Sequence, residues 1–151
     1  MFRVETSIVI DRPPGAVFGF VADQTHAPQW QRDLAAVRRV TPGAIGVGTE
    51  HDFERVFAGR RIVSRNRVIH FEPGRCIEFE IPEGWLRGKA SYRVEETPEG
   101  TLLTSRMAFE AMGPGRFLEP LLARALRHDS SRDERTLKAL LESAGAGMEP
   151  G

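Results

Sequence analysis

The sequence predicts an α+β domain in which one antiparallel sheet is packed against a long C-terminal helix. Three observations carry this. Between Thr49 and Glu110 five strands can be laid out whose two faces differ in chemistry. Phe2 to Ile10 adds a strand by alternation, and after Gly113-Pro114-Gly115 one helical pattern runs to about Ser143. At about 1.5 Å per residue that helix is roughly 40 Å long, enough to cross the sheet.

Taken in order, Phe2, Val4, Thr6, Ile8 and Ile10 alternate with Arg3, Glu5 and Ser7, a half-buried strand. Asp11-Arg12-Pro13-Pro14 stops it and opens a helix, proline being tolerated in a first turn. Ala16, Val17, Phe18, Phe20 and Val21 are apolar on most sides, so this short helix should be buried. Asp23 to Trp30, with Pro28 inside, reads as a second short helix or a kinked loop, and Leu34 to Val40 as a strand ended by Thr41-Pro42-Gly43.

The turn signals Ala58-Gly59, Glu72-Pro73-Gly74, Pro82-Glu83-Gly84 and Thr97-Pro98-Glu99-Gly100 separate the five following strands. Pairing across them gathers His51, Phe53, Arg55, Phe57, Ile62, Ser64, Asn66, Val68 and His70 on one face. Ile77, Phe79, Ile81, Ala90, Tyr92, Val94, Leu103, Ser105, Met107 and Phe109 join them there. The other face is charged: Glu50, Arg67, Glu80 and Arg87 lie side by side, and Asp52 faces Arg65. Opposite charges across a ladder favour this register, and a one-residue slip would turn them into the core. An inner face that is mostly apolar but carries several polar groups suits a ligand pocket.

The final helix carries an apolar stripe through Phe117, Leu118, Leu121, Leu122 and Ala125 that resumes at Leu137, Leu140, Leu141 and Ala144. Between them the stripe is interrupted by His128, Asp129, Arg132, Asp133 and Thr136, which either reach over the cavity or form a solvated run of local ion pairs. Glu142, Gly145 and Gly147 are expected to end it, giving a single domain over 1–147 and a loose tail over 148–151.

The chain has 151 residues, with Lys+Arg and Asp+Glu both 21, so no net field draws nucleic acid or an anionic membrane. One cysteine, Cys76, excludes an internal disulfide, and Met1 to Glu5 lacks the apolar core of a signal peptide, so a cytoplasmic location is expected. No apolar run is long enough to span a bilayer. The four histidines are scattered and no paired-cysteine spacing exists, so no metal site and no cofactor are expected.

The opening strand, Asp11-Arg12-Pro13-Pro14-Gly15-Ala16-Val17-Phe18, Val21-Ala22-Asp23 and Pro28-Gln29-Trp30 resemble the start of the SRPBCC superfamily. That group gathers START domains, birch-pollen-allergen-like proteins and polyketide cyclase/dehydrase-like proteins. Val47-Gly48-Thr49, Phe71-Glu72-Pro73-Gly74-Arg75, Gly100-Thr101 and Leu137 to Glu142 match the cyclase-like branch. The resemblance implies a helix-grip fold: a curved antiparallel sheet of six to seven strands around the C-terminal helix, two short helices between the first two strands, and a cavity between.

From the residues, the ligand-lining candidates are His51, Phe53, Ser64, Asn66, Val68, Phe79, Tyr92, Leu103, Ser105 and Met107. His51 beside Asn66, with Ser64 and Arg55 nearby, could hold a carbonyl or hydroxyl of an apolar ligand; the competing reading is a set of edge residues bonded to one another. Tyr92 faces Ser105, either as an acid toward a ligand or as a core tyrosine bonded to that serine. Trp30 is expected in the core near the cavity end, and Trp85, off the inward parity, in a loop at its mouth. Tyr92, His51 and Arg55 are the candidates for catalysis, any of which would polarise a carbonyl while a neighbour takes the alpha proton. The expected function is binding of a hydrophobic or amphipathic, lipid- or polyketide-like molecule. A cofactor-independent polyketide cyclase/dehydratase on the same cavity is the alternative, and a chaperone-activator-like interaction module the third. No nucleic-acid partner and no stable membrane insertion are expected, and the oligomeric state stays open.

Overall fold

The computed structural model describes the backbone of residues 1–57 and 59–148, and all their side chains except those of 57 and 146–148. Ala58 of the first turn, the inward placement of the Phe57 side chain, and residues 149–151 of the expected tail lie outside the described residues. The strands are β1 (Phe2–Ile10), β2 (Leu34–Arg39), β3 (Glu50–Phe57), β4 (Arg60–Glu72), β5 (Cys76–Ile81), β6 (Leu86–Thr97) and β7 (Gly100–Ala111). They form one antiparallel sheet in the order β1-β7-β6-β5-β4-β3-β2. Between β1 and β2 lie helix α1 (Pro14–Ala22) and a 3₁₀ turn over Gln24–Gln29; a second 3₁₀ turn, Gly113–Leu118, leads into α2 (Glu119–Met148). This is the helix-grip arrangement.

The register follows the charge pattern over most of the sheet. Glu50 pairs with Arg67, His51 with Asn66 and Asp52 with Arg65. Arg67 pairs with Glu80, Phe79 with Ala90, and Tyr92 with Ser105. Asp52 accepts from Arg65 Nε at 2.9 Å and from Arg38 Nη2 at 3.0 Å, and these bonds hold its carboxyl at a pKa of about 2. The Arg67 and Glu80 side chains are bonded as well.

Three expectations need correction. A bulge between Val68 and His70 adds a residue to β4, so His70 turns to the exposed face and Phe71 packs on the core. Glu80 faces Lys89 instead of Arg87, because β6 pairs with β5 only from Gly88 onward, while Arg87 faces Glu110 of β7. The final helix runs to Met148, not to about Ser143: Gly145 does not break it but lets the Arg12 side chain lie against it, where an added Cβ would come within 2.6 Å of Arg12 Cδ. Arg12 Nη1 donates there to the Leu141 carbonyl at 3.0 Å.

The main core lies at one end of the sheet. Ile10, Val17, Phe18, Val94, Leu103, Leu137 and Leu141 interlock there, α1 packing on β6 and β7, and Trp30 and Val68 extend the cluster. Antiparallel pairing puts the β4–β5 and β6–β7 turns at this end. The opposite end holds the β3–β4 turn, the loop from Pro82 to Trp85, the end of β7 and the start of α2. At Gly88, on the inward face there, a Cβ would sit 2.0 Å from the Ala108 carbonyl oxygen, so only glycine allows β6 to approach β7 so closely.

Candidate functional site

Helix α2 lies mainly along β1, an edge strand, and therefore leaves part of the concave face of β3 to β6 uncovered. Ser64, Ile81, Leu86, Tyr92 and Met107 are only half-buried although they point inward, and Arg55 and Ile62 are exposed. The sheet is thus a cup, plugged by α1 and the Gln24–Gln29 turn at one end and open at the other.

Tyr92 stands in the middle of this cup, its ring edge-on to Trp30 at 5.8 Å between centroids and 5.9 Å from Phe79. Its hydroxyl accepts from Gln31 Nε2 at 3.2 Å. Burial drives its pKa up, with the Arg55 guanidinium opposing, so the phenol keeps its proton at every physiological pH. Arg55, from β3, reaches solvent through the open mouth while protein surrounds its guanidinium on the other sides. Burial lowers its pKa, and Tyr92, Asp33 and Asp133 act in the opposite direction. Its head lies 5.9 Å from the Phe53 ring centre.

The residue that sequence reasoning missed is Glu134. It is 2% exposed, and its Oε2 accepts from Ser105 Oγ at 3.0 Å. Burial raises its pKa, against the Ser105 and Thr6 hydroxyls, and the neighbouring Asp133 charge raises it further. Four residues earlier Ser130 bonds Thr6 Oγ1 at 2.7 Å. Since Thr6 and Ser105 pair across β1 and β7, the inward face of α2 carries a polar seam of Ser130 and Glu134 running into Leu137 and Leu141. The signal was available: two inward hydroxyls on adjacent strands need partners from whatever covers them. Tyr92 and Ser105 face each other but do not bond; each has taken a different partner.

The polar residues picked from the helix divide. His128 and Thr136 are exposed. Arg132 makes ion pairs with Asp129 at 3.4 Å, Asp133 at 3.2 Å and Asp33 at 3.6 Å, and Asp133 accepts from the Arg32 backbone. They tie the segment before β2 to α2 instead of lining the cup, although Asp133 stays near enough to act on Tyr92 and Arg55.

His51 is fully buried beside Asn66, and neither ring nitrogen has a hydrogen-bond partner among the described residues; Asn66 Oδ1 and Gln24 Nε2 are equally unpaired. Burial, then Arg39, lowers the His51 pKa, with Asp23 opposing, so the ring is neutral at pH 7. Phe53, Val68 and Phe79 line the floor between this pair and Tyr92, while Leu103 belongs to the core against α1. Trp85 is half-exposed at the mouth, and Cys76 is buried despite its outward parity, which raises its thiol pKa. No cluster of three metal-ligating side chains occurs among the described residues. Two surface grooves, of about 420 and 360 Å³, flank the second turn of α1 and the Trp30–Arg32 segment. Neither contains Arg55, Tyr92 or Glu134, and neither brings buried polar groups together, so the cup is the better candidate.

Comparison with known proteins agrees with this fold. Residues 1–142 match the model of the family described as polyketide cyclase / dehydrase and lipid transport. The chain belongs to that family. An uncharacterised protein of Mycobacterium tuberculosis is 31% identical over 135 residues, covering 84% of this chain and 78% of its own. A solved protein of Thermus thermophilus superposes with a TM-score of 0.80 at 18% identity, over 95% of this chain and 99% of its own. An aromatase/cyclase of Streptomyces sp. R1128 gives 0.74 at 16% identity, over 93% of each chain. At those identities the two structures show a shared fold. No helix among the described residues is long and apolar enough to cross a membrane.

Proposed function

We propose that this member of the family binds an apolar or amphipathic small molecule in the cup, with the polar end of the ligand between Arg55, Tyr92 and Gln31. The observation that carries this is the incomplete cover of the inward face. Arg55 is exposed, and Tyr92 and Met107 only half-buried, although all three sit on the core side of the sheet, where a filled core would have closed over them. The floor of Phe53, Val68 and Phe79 supplies apolar contact, and the arginine supplies a partner for a carboxylate, phenolate or carbonyl. His51 and Asn66 offer unpaired groups at the deep end.

A second reading has one observation behind it. Arg55, Asp133 and Glu134 all act on the ionisation of Tyr92, and burial raises the Glu134 pKa. A phenol and a guanidinium can polarise a ketone, and a carboxyl group with a raised pKa can pass a proton, as a cyclase or dehydratase requires.

The binding reading is tested with 1-anilinonaphthalene-8-sulfonate, an anionic apolar probe. Ala90 lies between Phe79 and Met107 in register, so Ala90→Trp fills the cup. Fluorescence titration should show saturable binding by the wild type that weakens at least tenfold in Ala90→Trp and in Arg55→Leu. If both variants melt normally and bind the probe as the wild type does, the ligand site is not in the cup.

A further inference from the structure

Almost all the exposed large apolar side chains of the described chain gather at one end. Phe117 is 82% exposed, Leu121 65% and Leu118 52%, and Met112 and Trp85 join them. The segment leading into α2 adjoins Trp85: the Met112 amide donates to the Trp85 carbonyl at 2.6 Å, and Gly115 lies against the Trp85 ring. Val56, Ile62 and Val63 project from the β3–β4 hairpin at the same end, and only Val40 and Val47 stand elsewhere, between β2 and β3. This end is the open mouth of the cup. Of the stripe expected to cover the sheet, Phe117, Leu118 and Leu121 face solvent instead, and Leu122 is only half-buried. Apolar patches of this kind mark a surface that is covered in use.

We propose that the mouth rim docks on an anionic lipid bilayer. The charges choose between the possible covers. In the segment 112–127, Arg116, Arg124 and Arg127 are exposed, while its one acid, Glu119, is bonded to the amino terminus at 3.0 Å and to the Ala111 amide at 2.9 Å. Arg60 and Arg87 add positive charge around the mouth, against Glu83 and Glu110. A chain with no net charge has therefore placed a basic excess around its apolar patch. A second copy seated on the same face would bring these arginines against their own symmetry mates, whereas anionic headgroups neutralise them and the acyl region takes Phe117, Leu118 and Leu121. Such docking is peripheral and reversible, and it turns the mouth of the cup toward the membrane. It concerns the rim and stands whatever occupies the cavity.

The test is flotation of the ligand-free full chain with vesicles of phosphatidylcholine alone or with about a third phosphatidylglycerol, alongside light scattering to read the oligomeric state. The wild type should float with the anionic vesicles at low salt, at least tenfold more weakly with the neutral ones, and release as salt is raised. Phe117→Glu/Leu121→Glu should lose at least tenfold in vesicle binding with an unchanged melting curve, since both side chains are exposed. Absence of vesicle binding, equal binding to neutral vesicles, equal binding by the double variant, or a wild-type dimer that this variant dissociates would each overturn the proposal. Probe binding in the cup is measured separately, so failure of docking and failure of the cavity are told apart.

Discussion

Replacing Ser105 with alanine removes a hydroxyl bonded at 3.0 Å to the carboxyl group of Glu134, a residue 2% exposed. Leaving a buried polar group short of a partner costs about 1–3 kcal/mol. At about 2–4 °C per kcal/mol for a domain of this size, Ser105→Ala should lower Tm by roughly 2–12 °C at neutral pH. The effect must also depend on pH. Burial raises the folded pKa of Glu134 above its ordinary value of 4.5. Between that value and the folded one the native state binds more protons than the unfolded state. Stability therefore falls as pH rises through the window and is flat above it. Ser105 favours the charged form, so its loss lifts the folded pKa further and deepens the fall. Melts of the wild type, Ser105→Ala, Glu134→Gln and the double variant at pH 5 and pH 8 measure this directly. Ser105→Ala should cost more at pH 8 than at pH 5. In the Glu134→Gln background its cost should shrink to that of a neutral hydrogen bond, about 0.5–1.5 kcal/mol. An identical loss in both backgrounds and at both pH values would refute the buried-carboxylate reading of Glu134.

Two further outcomes are expected. His51→Leu should leave stability at pH 8 nearly unchanged, because neither ring nitrogen has a protein partner to lose. Since burial depresses the folded pKa of His51 below 6.5, the wild type should lose stability as pH falls through that value. The variant should show a smaller loss in melts from pH 8 to pH 5, and an unchanged slope would assign the acid response elsewhere. Tyr92→Phe should weaken probe binding by about 0.5–1.5 kcal/mol if the hydroxyl only orients a ligand. If it is a general acid, turnover of a poly-β-ketone analogue should instead fall roughly 100- to 10,000-fold with affinity nearly intact.

How much was legible depended on whether a residue's environment was written beside it in the chain. The β3–β4 register could be read because Glu50, Asp52, Arg65 and Arg67 fix it from both strands. The bulge at Val68–His70 could not, since no glycine or charge marks it and the residues on either side alternate as an unbroken strand would. Glu134 was missed because a glutamate in a helix between Asp133 and Arg135 looks solvated. Its burial is imposed by Thr6 and Ser105, more than 100 and about 30 residues away in sequence. Phe117, Leu118 and Leu121 were expected to pack because apolar residues at helical spacing usually do. They are exposed because α2 settles on the edge strand β1 and meets the sheet only with its later turns.

That last difference explains why one small chain can be both stable and open. The apolar groups that hold the fold together, from Ile10 and Phe18 to Leu137 and Leu141, are concentrated where α1, β6, β7 and the second half of α2 meet. The polar seam of Ser130 and Glu134 marks where this packing loosens: before it Leu122 and Leu126 are only half-buried and Leu121 is exposed, and the inward face of β3 to β6 is free to hold something else. Removing a leucine from the closed end, such as Leu137, opens a hole in the core and costs about 2–5 kcal/mol. Polar replacement of Leu121, 65% exposed at the open end, removes no such packing and leaves the fold nearly as stable. Residues around the mouth can therefore vary for ligand or surface without endangering the fold, which is the physical condition under which one scaffold supports carriers and catalysts alike.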